Sequence, residues 1–268
     1  MNSVDDVPRN LAAAGALLDE SAGQGAVLAV LPENFAFMGA RDADKLAQAE
    51  DEGRGPIQDF LHAAAQRLKL WIVAGTIPLR VPDRPDKVYA ASLVFDQRGE
   101  PIARYDKIHL FDVDVGNDRY RESATIAPGA PRTVVVDTPA GRLGLSVCYD
   151  LRFPELFRRL AAEGAQVLCV PSAFTQKTGE AHWEVLLRAR AIENQCYLIA
   201  PGQTGAHPAG RRTYGHSLIA GPWGEVLARG ETEPGVVAAR IAPARLVELR
   251  QTFPVLSHRK FPDSQESQ

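Results

Sequence analysis

The chain has 268 residues, 45% hydrophobic and 24% charged, proportions of a soluble globular domain and not of a disordered segment. A formal net charge of −3 leaves no basic field for a nucleic-acid backbone, and three cysteines make no disulfide framework. No apolar run approaches the roughly 20 residues a membrane span needs, and the acidic start Met1-Asn-Ser-Val-Asp-Asp lacks the form of a secretory signal, so a cytoplasmic, enzyme-sized single domain over residues 1–268 is expected.

Helical periodicity is read at Pro8 to Ala22, Pro56 to Lys69, Pro154 to Gly164, His182 to Asn194 and Pro243 to Arg250. Proline near the start of several of these suits the first turn, where its missing N–H costs nothing. Short buried-strand runs lie between them: Ala26 to Leu31, Trp71 to Ile77, Gly144 to Val147, Gln166 to Val170 and Gln195 to Ala200. Hairpins are predicted from Ser92–Asp96 into Pro101–Tyr105, from Thr133–Asp137 into Gly141–Val147, and from Ser217–Ala220 into Glu225–Ala228. The Pro- and charge-rich stretch Val81 to Lys87 reads as a surface loop, and the polar end from Arg259 as loose. Helices covering mixed sheets predict a layered α/β or α+β domain.

Three apolar strands end abruptly at Leu31-Pro-Glu33, Val147-Cys148-Tyr149-Asp150 and Val170-Pro-Ser172. Ligand sites in such folds gather beyond the carboxyl ends of strands, so Glu33 and Cys148 share a candidate rim. Cys148 precedes the turn into the helix at Pro154, whose N-terminus would favour a thiolate and an oxyanion. Packing inside a core is the competing account of a lone cysteine, and it is preferred for Cys169 and Cys196, which sit within apolar runs. A thiol nucleophile needs a base: His62, His109, His182, His207, His216 and His258 are available at uninformative spacings, and Glu33 would serve if a hydrophobic pocket raised its pKa. Lys107 by itself reads as a surface lysine. His109, Asp112 and Asp114 match no zinc spacing, and no metal is expected.

Together, Leu31-Pro-Glu-Asn-Phe, Tyr105-Asp-Lys-Ile-His-Leu-Phe and Gly144-Leu-Ser-Val-Cys-Tyr-Asp-Leu-Arg-Phe-Pro-Glu-Leu resemble the nitrilase (carbon–nitrogen hydrolase) superfamily. The likeness runs on through Ala181-His-Trp-Glu and Tyr214-Gly-His-Ser, nearly the whole chain. It implies a four-layer α-β-β-α sandwich and a Glu-Lys-Cys triad on Glu33, Lys107 and Cys148, with Glu122 as a second glutamate that orients Lys107 or the substrate. It further implies an oxyanion held by Lys107 and the Tyr149 N–H, a small-molecule amide substrate, no cofactor, and a homodimer in which Phe253 to Pro262 crosses to the partner. The segment Cys148-Tyr-Asp-Leu-Arg-Phe-Pro-Glu-Leu is similar to the amidase branch, and the segments at Pro171, Ile192, Arg212 and Phe253 are most similar to its deaminated-glutathione amidases, with omega-amidases on alpha-ketoglutaramate as the runner-up.

Both substrates carry a carboxylate beside a ketone, so Arg152 is a candidate for reading it, against a surface arginine pairing with Glu155 or Asp150. Ser172, Phe174 and Thr175 are further pocket candidates. A non-catalytic scaffold and a Cys-His hydrolase using His109 or His182 remain alternatives. Members of the superfamily usually begin with a buried strand that precedes a segment like Asn2 to Leu11, so a first strand is expected to be missing here, and poor soluble expression with it.

Overall fold

The structure, a computed structural model, describes residues 1–116 and 118–261. Five helices form: α1 (Val7–Gly23), α2 (Pro56–Leu68), α3 (Pro154–Ala162), α4 (Gln176–Asn194) and α5 (Pro243–Thr252). All except α4 have proline in the first turn, and Asp6 caps α1 by accepting the Arg9 N–H at 3.0 Å. None of the described helices is long and apolar enough to cross a membrane.

The first sheet comprises β1 (Leu28–Val30), β2 (Trp71–Val73), β3 (Ile77–Val81), β4 (Arg84–Phe95) and β5 (Pro101–Asp106), in the order β1-β2-β4-β3 with β5 also on β4. A small hairpin follows, β6 (Asp112–Val115) with β7 (Asp118–Arg121). The second sheet holds β8 (Val135–Thr138), β9 (Gly141–Leu145), β10 (Val167–Cys169) and β11 (Tyr197–Ala200). After the β12 (Thr204–Ala206) and β13 (Arg212–Tyr214) hairpin it is completed by β14 (Leu218–Ala220) and β15 (Val226–Arg229), in the order β15-β14-β11-β10-β9-β8. Pairing is parallel for β1 with β2 and along β9-β10-β11, and antiparallel elsewhere in both sheets, so the sheets are mixed as expected.

Two cores give the layers. Ala14 and Leu18 of α1, with Ile57 and Leu61 of α2, bury one face of the first sheet against Ile72, Leu79 and Leu93. Residues of the first sheet whose side chains fall on its other face, such as Val73, Val94 and Tyr105, join Leu143, Leu145, Val167 and Cys169 of the second sheet. Phe157 and Leu160 of α3, with Trp183 and Leu187 of α4, close the same cluster from outside. The succession is α-β-β-α.

Several predicted boundaries shift for physical reasons. The run Trp71–Ile77 is two strands, not one. Gly75 (φ +56°) turns the chain between them, and a Cβ there would lie 2.0 Å from the Pro32 carbonyl oxygen, so the corner packs directly under the Glu33 loop. Val81 to Lys87, read as a surface loop, is the β3–β4 hairpin, already β-paired from Arg84 and turned at Asp83 (φ 59°). Helix α4 starts at Gln176, six residues before the predicted His182. Thr175 caps it, and Gly179 is tolerated because its missing side chain admits the Tyr214 ring, which a Cβ would strike at 2.3 Å. The β6–β7 and β12–β13 hairpins were not predicted, since neither contains an apolar run. Of the segment expected to be loose, Arg259 to Gln268, residues 262–268 lie outside the described residues.

Candidate active site

The site forms where both sheets present strand ends to one side. Residues 31–36 follow β1 and place Glu33; Lys107 follows β5; Glu122 opens a short 3-10 turn after β7; Cys148 opens another after β9. All four line one pocket of about 490 Å³, part of it open to solvent.

Lys107, 2% exposed, is the hub. Its Nζ donates to Glu33 Oε1 at 2.8 Å and to both carboxylate oxygens of Glu122 at 2.9 Å. Glu33 Oε2 accepts the Ala173 N–H at 2.9 Å, and Glu122 Oε2 accepts the Phe111 N–H at 2.6 Å. The Cys148 thiol lies beside Glu33, close enough for each group to shift the other's titration. Two buried carboxylates therefore face one buried ammonium and are fixed by backbone donors, the arrangement that lets charge persist inside a protein.

The charges decide the protonation states. Burial pushes the Glu33 carboxyl up, but the adjacent Lys107 charge and hydrogen bond, helped by Cys148 and Lys45, more than offset it and hold the carboxyl below its ordinary value. This corrects the expectation of a raised pKa: Glu33 rests ionised. Burial opposes charge on Lys107, yet Glu122 and Glu33 hold its pKa well above the usual lysine value. The Cys148 thiol moves the other way. Burial and the Glu33 charge raise it beyond what Lys107 and the Ala173 N–H can compensate, so it rests as a neutral thiol and not as the expected thiolate. The helix forms where expected, from Pro154, and a 3-10 turn over Cys148–Arg152 leads into it.

A strained turn holds the thiol up. Cys148 has φ +48°, the left-handed region that a non-glycine residue seldom adopts, with its N–H on the Pro171 carbonyl at 2.9 Å. Asp150, fully buried, locks the turn. Its Oδ2 accepts from the Val147 N–H (2.8 Å) and the Tyr105 hydroxyl (2.6 Å), and its Oδ1 from the His109 backbone N–H (3.2 Å) and ring Nδ1 (2.7 Å). His109 also stacks on Phe153 at 3.7 Å. It is thus tied to the turn, and among the described residues no histidine lines the pocket, which leaves the Cys-His alternative without a base.

The substrate-binding candidates divide. Tyr149, Arg152 and Phe174 line the pocket, as does Thr175. The Arg152 guanidinium lies 5.9 Å from the Tyr149 ring centre and 5.4 Å from that of Phe174, with His182 Nδ1 at 3.3 Å, and pairs with neither Glu155 nor Asp150. Ser172 is a correction. Its hydroxyl donates to the Val170 carbonyl at 3.0 Å, and the residue is fully buried behind the wall that its neighbours Ala173 and Phe174 form. Several lining residues were missed, among them Lys45, Tyr120 and Arg211; the Lys45 Nζ lies 3.5 Å from Asp42 Oδ1. Each comes from a polar turn or hairpin that tertiary packing folds over the strand ends, and no spacing in the sequence announces that. Cys169 and Cys196 are fully buried and do not line the pocket, as expected; burial pushes the Cys196 thiol up to about 11. Among the described residues, no group of three or more His, Cys, Asp or Glu could hold a metal ion.

A carbon–nitrogen hydrolase family model matches residues 1–251. A Synechocystis protein named deaminated glutathione amidase is 47% identical over 263 residues, 97% of this chain and 96% of its own length. The crystal structure of the C. elegans NitFhit protein matches with a TM-score of 0.92 at 38% identity, covering 100% of this chain and 67% of that one. A Nesterenkonia amidase mutant matches with a TM-score of 0.78 at 28% identity over 95% of each chain, and its structure shows acrylamide added to the active-site cysteine. The architecture is the sandwich of the nitrilase superfamily. Within that class, the chain belongs to the carbon–nitrogen hydrolase family and is an amide-cleaving enzyme.

Proposed function

We propose that the chain hydrolyses deaminated glutathione, splitting its amide bond into an α-keto acid and cysteinylglycine. One observation carries the reading: the buried Glu33–Lys107–Cys148 cluster lies in a pocket that also presents Lys45 and Arg152, in a chain 47% identical to a protein named for this activity. Glu33 takes the thiol proton as Sγ bonds to the amide carbon, and Lys107 with the Tyr149 N–H holds the oxyanion. The C–N bond breaks as Glu33 returns that proton to the departing amine. Water then attacks the thioester, giving a proton to Glu33. The C–S bond breaks, and the proton restores the thiol. Glu122 keeps Lys107 aimed and charged. Arg152, set between two rings and with no carboxylate partner among the described residues, binds the carboxylate of the keto acid as a fork.

The reading extends to a cytoplasmic enzyme with one catalytic domain over residues 1–268, tailed from about 253, and assembled as a homodimer. Exposed Val185 and Ile192 on α4, Val247 on α5 and Phe253 just beyond it support a self-association face there. Sedimentation at dimer mass in micromolar protein is expected, and a monomer would refute the assembly. The test of function is turnover of deaminated glutathione, α-ketoglutaramate, a simple nitrile and an N-carbamoyl amino acid. The expected result is the highest kcat/KM on deaminated glutathione, abolished in Cys148→Ala and cut by at least about 10²-fold in Glu33→Gln. Preference for the nitrile, or near-full activity of Glu33→Gln, would overturn the reading.

A further inference from the structure

The pocket does not end at its mouth. A groove continues outward between the turn at Asp42, the β6–β7 hairpin, the start of α4 and the segment before β13, and it shares Asp42, Tyr120, Thr175 and Arg211 with the pocket wall. Its charges are mostly cationic. Arg41 is satisfied by Asp44 at 2.8 Å and Arg119 by Asp114 at 3.8 Å. Lys177 and Arg212 line only the groove and, like Arg211, show no ion pair among the described residues; Arg211 differs in reaching the pocket as well. It faces pocket and groove, has no carboxylate in ion-pair distance among the described residues, and its Nε is buried with no hydrogen-bond partner. A guanidinium in a wall shared by pocket and groove, with no carboxylate to neutralise it among the described residues, is placed to take an anionic group from outside through its planar fork.

The order of events says which half of a substrate lies there. The acyl half stays bonded to Cys148 while the amine departs and water takes its place, so the amine must occupy the open side. We propose that Arg211 is a specificity-determining residue of a leaving-group subsite, holding the terminal carboxylate of the departing amine in the outer groove. The substrates it favours are amides whose amine half is an amino acid or short peptide with a free carboxylate. This rests on the proposed function, in which the amine is a dipeptide, and it separates such amides from α-ketoglutaramate, which releases only ammonia and has nothing to place in the groove.

The test compares deaminated glutathione with its C-terminal carboxamide on the purified full chain. Wild type is expected to prefer the free acid by about 10–100-fold in kcat/KM, the scale of a lost charge-assisted contact. Arg211→Ala should bring that ratio close to one, and Arg211→Lys should retain part of it. An equal ratio in wild type and Arg211→Ala overturns the proposal, as does a wild type indifferent to the carboxamide, a result that needs no variant to fold. Failure of the substrate reading has a different signature: wild type would leave both amides intact, which removes the subsite along with it.

Discussion

At the residue scale, the resting site stores its reactivity in Glu33 and not in the sulfur. A neutral thiol beside an ionised carboxylate reacts only as the proton moves, so activity should follow Glu33. Because the Glu33 pKa is depressed below its ordinary 4.5, the acid limb of kcat/KM is expected below the usual carboxylate range. With the thiol raised, no rise is expected between pH 6 and 9. A pH–rate profile climbing with unit slope through that interval would make a thiolate the nucleophile and refute the assignment. Stability obeys the same charges. Glu33, lowered on folding, stabilises the fold above its unfolded pKa, and that contribution fades as pH falls through the folded value. Lys107, raised on folding, contributes fully below its ordinary 10.5 and fades as pH rises through its folded value, so the triad favours the fold over the broad interval between.

At the scale of elements, Asp150 joins three pieces of chain: the end of β5 through Tyr105, the loop after it through His109, and the nucleophile turn through Val147. All four partners are donors. Asparagine brings one acceptor and an NH₂ group, so Asp150→Asn forces at least one buried donor against another at about 1–3 kcal/mol. A fall in Tm of about 3–10 °C is expected by calorimetry, with a larger loss of kcat because the left-handed Cys148 loses its clamp. An unchanged Tm would show that the turn stands without Asp150. Glu33 and Cys148 were legible in the sequence because an apolar strand that stops at a polar residue exposes that residue at a sheet rim. Lys107 and Glu122 were legible only through family resemblance, since nothing local in Tyr105-Asp-Lys or Tyr120-Arg-Glu reveals burial. Lys45 and Arg211 were not legible at all: each reaches the pocket from a polar turn whose docking over the strand ends is purely tertiary. The start of α4 was hidden by Thr178 and Gly179, poor helix formers that tertiary packing overrides.

At the scale of the molecule, the triad spans the interface between the two sheets, with Glu33 and Lys107 at ends of the first and Cys148 at an end of the second. The contact between them is apolar, built from residues such as Val73, Val94, Leu145 and Val167. Apolar packing tolerates small slips that hydrogen bonds of 2.8–2.9 Å do not. Activity is therefore expected to fail at lower denaturant concentration than far-UV circular dichroism, and coincident midpoints would refute this. The same placement has a meaning for a chain emerging from the ribosome. The base and the cation are synthesised first, the thiol later, and neither portion can cleave anything by itself. Catalysis is switched on by the last act of assembly, so a half-made molecule is chemically silent.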